Sequence, residues 1–192
     1  MNILLLDACV STNHPSRTRI LCENYMEQYK TTQDEIAHVV LEDLGLAPLT
    51  TQMLEKRNKL IEEQKYDDEM FALARQFQKA DRVILAAPFW DMTFPSVVKI
   101  YIEQIMIGGI TFKYEDNSAV GLCQADKLVY IMTAGGYVGE QNLGYEYIKS
   151  IADMLGIEET ELYCGEGLDI WGADVDKILE DVCQEMHVPN GI

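Results

Sequence analysis

No Cys-x-x-Cys pair, Gly-x-Gly-x-x-Gly run or Gly-x-x-x-x-Gly-Lys-Ser/Thr run occurs in this chain. The first absence removes the usual zinc, iron–sulfur and dithiol frameworks. The second leaves a dinucleotide-type Rossmann loop without support, and the third argues against nucleoside triphosphatase chemistry. Gly-x-Ser-x-Gly and His-Glu-x-x-His are also missing, so neither a hydrolase elbow nor a zinc protease helix is encoded. Positive charge is scarce. Lys and Arg number 15 against 32 Asp and Glu, for a formal net charge of −17. Such a chain repels phosphate backbones and offers no basic run to an acidic bilayer, so neither nucleic acid nor membrane is expected as a partner. No apolar stretch is long enough to span a bilayer, and the start MNILLLDA lacks a basic leader. Five scattered cysteines, an odd number, read as reduced thiols in a cytoplasmic protein. Cys9 alone falls in a candidate ligand loop, and nothing nearby would clearly activate it. Cys164 and Cys183 read as packing residues.

What is present is apolar patterning. The chain has 192 residues, of which 48% are hydrophobic, enough for one domain spanning residues 1–192 with a substantial core. Short apolar runs recur at Ile3–Leu6, Ile36–Leu41, Val83–Ala87, Leu128–Met132 and Glu161–Cys164. Most are continuous rather than alternating, as expected of strands covered on both faces. Helical faces lie between and after them: Met70, Leu73, Ala74 and Phe77, then Ile148, Ile151, Ala152 and Leu155, then Val175, Ile178, Leu179, Val182, Cys183 and Met186. Gly156 is placed to stop the second of these. Alternating strand and helix predicts a three-layer, doubly wound α/β/α sandwich around a five-stranded parallel sheet.

Two segments depart from the alternation. A surface helix is expected near Thr51–Glu63, and a hairpin or loop over Gly108–Val120. The helix Ser96–Ile107 carries apolar residues on nearly every side, which predicts burial all round. Its outer side would meet either a second subunit or the Gly108–Val120 excursion.

Three loops follow predicted strands one, three and four, and in a doubly wound sheet these converge on one crevice. The first, from Asp7 to Arg19, offers the hydroxyls of Ser11, Ser16 and Thr18, the cation of Arg17 and a helix start near Ser16, all suited to a phosphate. The second is Phe89-Trp90-Asp91-Met92 after Pro88, whose aromatic rings suit a planar ligand. The third is Thr133-Ala134-Gly135-Gly136, where glycines let a ligand approach the backbone. His14, His38 and His187 lie in separate settings. His38 falls inside a strand pattern and reads as structural, and His187 falls near a helix end that favours a cation.

The stretch APFWDMTFPSVVKIYIEQIMIGGITFKYEDNSAVGL, together with these loops, resembles the flavodoxin-like NAD(P)H:quinone oxidoreductases and FMN-dependent NADH-azoreductases. That family carries an alanine-proline, a loop of the type Met-Tyr-Asn-Phe, a helix of the type Leu-Lys-x-x-x-Asp and then Gly-Val-Thr-Phe-x-Tyr. The counterparts here are Ala87-Pro88, Phe89–Met92, Val98-Lys99 through Glu103, and Gly109-Ile110-Thr111-Phe112-Lys113-Tyr114. The resemblance implies a flavodoxin-like α/β/α sandwich with sheet order 2-1-3-4-5, FMN as cofactor and NADH or NADPH as hydride donor. It also implies a quinone, azo compound or similar flat acceptor, a ping-pong order and a homodimer with the active site at its interface. The FMN phosphate would lie at Ser16 and Thr18. The ring would lie on Pro88, Phe89, Trp90, Asp91 and Met92, with Thr133, Ala134, Gly135 and Gly136 on its other edge. The flavin does the redox work, so no side-chain acid or base is required.

There are departures from the family pattern. Ala8 or Cys9 stands where the family commonly has serine, Asp91 stands for the usual asparagine, and the Thr133–Gly136 loop is short. A carboxylate facing the ring would lower its reduction potential relative to asparagine. Two other readings stay open. One is a flavodoxin-type electron carrier, which the charge suits but the first loop does not, since it lacks a Thr/Ser-x-Thr-Gly-x-Thr turn. The other is a flavin-binding regulator without turnover. Arg17 or Lys113 could supply a basic contact for a 2′-phosphate.

Overall fold

The structure, a computed structural model, describes residues 1–10, 15–140 and 142–186. The strands are β1 (Asn2–Asp7), β2 (Glu35–Val40), β3 (Arg82–Ala86), β4 (Phe112–Glu115), β5 (Ser118–Gly121), β6 (Lys127–Thr133) and β7 (Glu159–Gly165). The helices are α1 (Arg17–Tyr29), α2 (Thr51–Glu62), α3 (Ala72–Gln78), α4 (Ser96–Ile105), α5 (Leu143–Leu155) and α6 (Val175–Met186). Five strands form a parallel sheet in the order β2-β1-β3-β6-β7, and β4 and β5 form a separate antiparallel hairpin. The parallel sheet therefore has the predicted order, counted along its own strands.

Side chains alternate across the sheet because strand residues point to opposite faces. Leu4 and Leu6 enter a core shared with α3, α4 and α5, whereas Ile3 and Leu5 enter one shared with α1 and α6. β3 and β6 divide the same way: Val83, Leu85, Leu128 and Tyr130 face the first core, and Ile84, Val129 and Ile131 the second. These central strands are covered on both faces, which is why their sequence reads as unbroken apolar runs. β2 is different. It ends at Val40, one residue before the expected limit, and Leu41 instead opens a 3-10 turn and is fully buried. As an edge strand it leaves Ile36 42% exposed, so the expectation of cover on both faces does not hold there.

Helix boundaries follow local chemistry. Ser16 caps α1, its Oγ accepting the Arg19 N–H at 3.3 Å. Asn142 caps α5 through Oδ1 and the Tyr145 N–H at 2.9 Å, and Gly156 stops it in the left-handed region at φ 82°. The surface helix α2 begins after Thr50, within a residue of expectation at both ends, and buries only Leu60. Met70 lies in a 3-10 turn, Glu69–Phe71, ahead of α3 rather than on the helix itself.

α4 is shorter than expected by two residues, yet Ile107 remains buried beyond its end. Val98, Tyr101, Ile102 and Ile105 enter the core, and Val97 and Met106 pack against it. The excursion after α4 adds Ile110 and Phe112 to the same cluster. Burial within one chain thus accounts for much of this helix's apolar character. Thr111 locks the turn: its Oγ1 donates to Ile105 O at 2.7 Å and accepts the Ile107 N–H at 3.2 Å.

Because all five core strands run parallel, Asp7, Ala86, Thr133 and Gly165 end at one edge, and α1, α4 and α5 start there.

Candidate functional site

The three predicted loops meet at that edge, tied by hydrogen bonds. Thr18, buried on the first turn of α1, shares a 2.6 Å hydrogen bond between its Oγ1 and Thr133 Oγ1 at the end of β6. Thr133 O accepts the Phe89 N–H at 2.9 Å, which brings the aromatic loop onto the same residue. Ala134 N–H donates to Gly165 O at 2.8 Å, and Leu168 N–H returns to Ala134 O at 3.2 Å. The glycine loop is therefore laced to the segment after β7, a region that the sequence patterns did not single out.

Ser16 stands at the mouth of α1, where the first helical N–H groups have no partner within the helix. Of the other hydroxyls and cations expected here, Ser11 and His14 lie outside the described residues, as does His187. Arg17 does not stand free: its Nη1 donates to Asp169 Oδ1 at 2.7 Å. Asp169 in turn donates its N–H to Gly135 O at 2.9 Å. A Cβ on Gly135 would lie 2.3 Å from Asp169 Oδ2, so glycine permits this close approach. A Cβ on Gly136 would meet nothing within 4 Å, so that side of the loop is open. Lys113, the other candidate cation, pairs with Glu115 at 2.6 Å on the hairpin.

The aromatic loop is a two-residue turn. Trp90 and Thr93 exchange backbone hydrogen bonds of 3.2 and 2.8 Å around Asp91 and Met92. Both central residues have positive φ, 48° and 68°, as a type I′ turn requires. Asp tolerates that region, but Met carries a Cβ penalty of roughly 1–2 kcal/mol, so the turn is strained. Phe89 is half-buried and packs against the core, a role closer to core filling than to ring contact. Trp90 and Met92 instead present 46% and 41% of their surface to solvent. Pro88 is half-buried behind them. Asp91 lines an open cleft of about 510 Å³ with Thr93, Phe94, Ser96, Lys99, Leu143 and Tyr147.

One charged residue at this edge was not anticipated as part of a site. Asp7, at the end of β1, is only 3% exposed. Burial pushes its carboxyl up, but the Cys9 N–H and the Arg19 guanidinium outweigh that and hold it below the ordinary value. Its sequence signal was slight: an aspartate ending an apolar strand, with an arginine twelve residues on. His38, on β2, lies with Nε2 3.2 Å from the same carboxylate. Cys9 is buried, and burial with the neighbouring Asp7 carboxylate pushes its thiol far up, so it is a packing thiol that donates to Ala86 O at 3.6 Å. Cys164 and Cys183 likewise pack against the two cores. Among the described residues no His, Cys, Asp and Glu group is arranged to hold a metal, and no helix is long and apolar enough to cross a membrane.

This geometry can be set beside known proteins. The chain is 34% identical over 190 residues to an FMN-dependent NADH:quinone oxidoreductase 2 of Clostridium acetobutylicum, covering 95% of this chain and 94% of that one. It is 32% identical over 190 residues to an FMN-dependent NADH:quinone oxidoreductase of Caldicellulosiruptor bescii, with the same coverage. Among solved structures, an azoreductase from Bacillus anthracis superposes with a TM-score of 0.84 at 23% identity, covering 96% of each chain. An FMN-dependent NADH-azoreductase from the same species, in complex with FMN, gives 0.82 at 23%, covering 96% of this chain and 95% of that one. The Flavodoxin_2 family, described as a flavodoxin-like fold, matches residues 1–188. With that span matched, and with the sheet order and loop edge already described, the chain belongs to the Flavodoxin_2 family.

Proposed function

We propose that this protein is an FMN-dependent NADH:quinone oxidoreductase. The observation that carries the proposal is the convergence of α1, the aromatic turn and the glycine loop on Thr133. The residues suit FMN in kind. A helix N-terminus with the Ser16 hydroxyl favours a phosphate dianion. An open glycine edge and an exposed Trp90 suit a flat ring. The relatives named as FMN-dependent NADH:quinone oxidoreductases match over nearly the whole chain, which supports the same reading.

The chemistry that FMN supplies when bound is transfer of a hydride from NADH or NADPH to a quinone, azo compound or similar flat acceptor, in ping-pong order. The chain's own residues bind and orient. Ser16, at the cap of α1, would hold the phosphate end together with the first helical N–H groups, and the buried Thr18, expected there as a second hydroxyl, instead commits its hydroxyl to Thr133. Pro88, Trp90, Asp91 and Met92 would form the floor for the ring, with Trp90 as the exposed aromatic contact and Phe89 anchoring the loop in the core. Gly135 and Gly136 would bring backbone to the ring's other edge, while Thr133 and Ala134, bonded to Phe89, Gly165 and Leu168, would hold that loop in place, with Thr133 positioned by Thr18. No side-chain acid or base is assigned. We assign a homodimer as the working form, supported by the exposed Trp90, Met92 and Leu143 and by the half-buried Val97 and Ile100 of the apolar α4. Light scattering giving a monomer at working concentration would remove that assignment.

The test is a visible spectrum of the purified chain with FMN, before and after anaerobic addition of NADH and then a quinone. Bleaching by NADH and recovery with the quinone are expected. A flavin spectrum that persists with both NADH and NADPH would point to a carrier or regulator. A chain that takes up no FMN would overturn the proposal.

A further inference from the structure

The carboxylate of Asp7 gathers partners from three parts of the fold. Oδ1 accepts the Cys9 N–H at 2.9 Å, Oδ2 accepts Arg19 Nε at 3.0 Å, and His38 Nε2 lies 3.2 Å from the same oxygen. Arg19 does more than neutralise it. Its Nη2 donates to Cys9 O at 3.2 Å, and its own backbone N–H donates to Ser16 Oγ at 3.3 Å. Cys9 is thereby held at both its N–H and its C=O, by two side chains that also hold each other. One residue, Arg19, links the exit from β1 to the cap of α1.

Arg19 is committed to Asp7, so it is poorly placed to serve as a charge for a ligand. Its planar fork instead makes two directed bonds from two separate nitrogens, to a carboxylate and to a carbonyl, a fixed spacing that a lysine's single nitrogen does not reproduce. A phosphate held by helix-terminal N–H groups depends on those groups pointing at one place before the ligand arrives. Among the described residues, the ring loop Phe89–Met92 is held from Thr133 and by its own turn, not from Asp7 or Arg19.

We infer that Asp7 and Arg19 are positioning residues for the phosphate end of the cofactor: they fix the exit from β1 at Cys9 and the start of α1 at Ser16, so that the first N–H groups of α1 are aimed at a phosphate monoester, and they make no hydrogen bond to the ring loop. The inference rests on the FMN reading above.

The test compares two flavins that differ only in the phosphate. The full chain, freed of flavin, is titrated with FMN and with riboflavin, following flavin fluorescence, as wild type, Arg19→Gln, Arg19→Lys and Asp7→Asn. Arg19 is a partly exposed residue, so its replacements are expected to fold, which circular dichroism checks. Asp7→Asn keeps an acceptor for the Cys9 N–H and tests the charge alone. In Arg19→Gln, FMN affinity is expected to fall about 30-fold, equivalent to ~2 kcal/mol. Riboflavin affinity is expected to stay within about twofold, and Arg19→Lys to recover only part of the loss. An unchanged FMN-to-riboflavin ratio overturns the inference, whether both affinities persist or both fall together, the latter being the mark of a merely structural role. A wild-type chain that binds riboflavin as well as FMN also overturns it. A wild-type chain that binds neither flavin overturns the FMN reading itself, and this inference with it.

Discussion

The β1–α1 and β3–α4 loops leave adjacent strands at the same sheet edge, yet one is held by charge and the other by backbone shape. The first starts from a buried carboxylate with an arginine, a backbone N–H and a histidine around it. The second starts from a proline and closes as a two-residue turn, with non-glycine residues at positive φ. A polar clamp stabilises its loop and is sensitive to protonation and to loss of a partner. A strained turn stores energy that the surrounding packing must offset. The two loops should therefore respond to substitution with opposite signs.

Removing the clamp should have the largest effect. Asp7→Ala leaves the Cys9 N–H and Arg19 Nε without their acceptor and should destabilise the fold by ~3 kcal/mol in denaturant unfolding. A loss no larger than that of an exposed surface substitution would erase the contrast between the loops. Next comes the bridge between α1 and β6, where the Thr18 and Thr133 hydroxyls meet. Thr18→Val keeps the shape but removes one hydroxyl from this buried pair, and a loss of ~1–2 kcal/mol is expected by the same measurement.

The aromatic turn should move the other way. Met92→Gly removes the Cβ that conflicts with a φ of 68°. A gain of ~0.5–1 kcal/mol in thermal stability is expected after allowing for the flexibility of glycine in the unfolded chain. A loss would mean that the Met92 side chain contributes more packing than its exposure suggests. Arg17→Gln should change stability least, because the Arg17–Asp169 pair is exposed to solvent and salt. A change of no more than ~0.5 kcal/mol is expected of such a pair in denaturant unfolding.

Acid should separate the loops too. The Asp7 carboxyl is held below its ordinary value of 3.8, so the unfolded chain binds this proton more readily than the folded one. The stability it confers is present above that value and lost as pH falls through the lower folded one. Asp7→Asn should flatten this part of the acid unfolding curve, while Met92→Gly should leave its shape unchanged.

Much of this is legible in the sequence. Continuous apolar runs located β1, β3 and β6, because strands buried on both faces have no polar side to alternate with. Ser16 and Gly156 located helix ends, because capping and left-handed stops depend on the identity of single residues. The candidate loops were legible from their place after strands. The exposure of β2 was not, since an apolar run does not say whether a helix will cover it. Nor was the division of labour within Phe89–Met92, where Phe89 turns toward the core and Trp90 away.

By itself, the sequence determined the fold class and the edge where three loops gather, because these follow from local periodicity, capping and the alternation of strand with helix; the strand order came with the family resemblance. The tertiary structure alone decided which charges meet there. Asp7 with Arg19 and His38, and Arg17 with Asp169 across 152 positions of chain, are pairings between separate elements. No periodicity encodes such contacts. They exist because the sheet brings distant strand ends within hydrogen-bonding distance, and because a buried carboxylate is tolerated only where that geometry supplies it with partners.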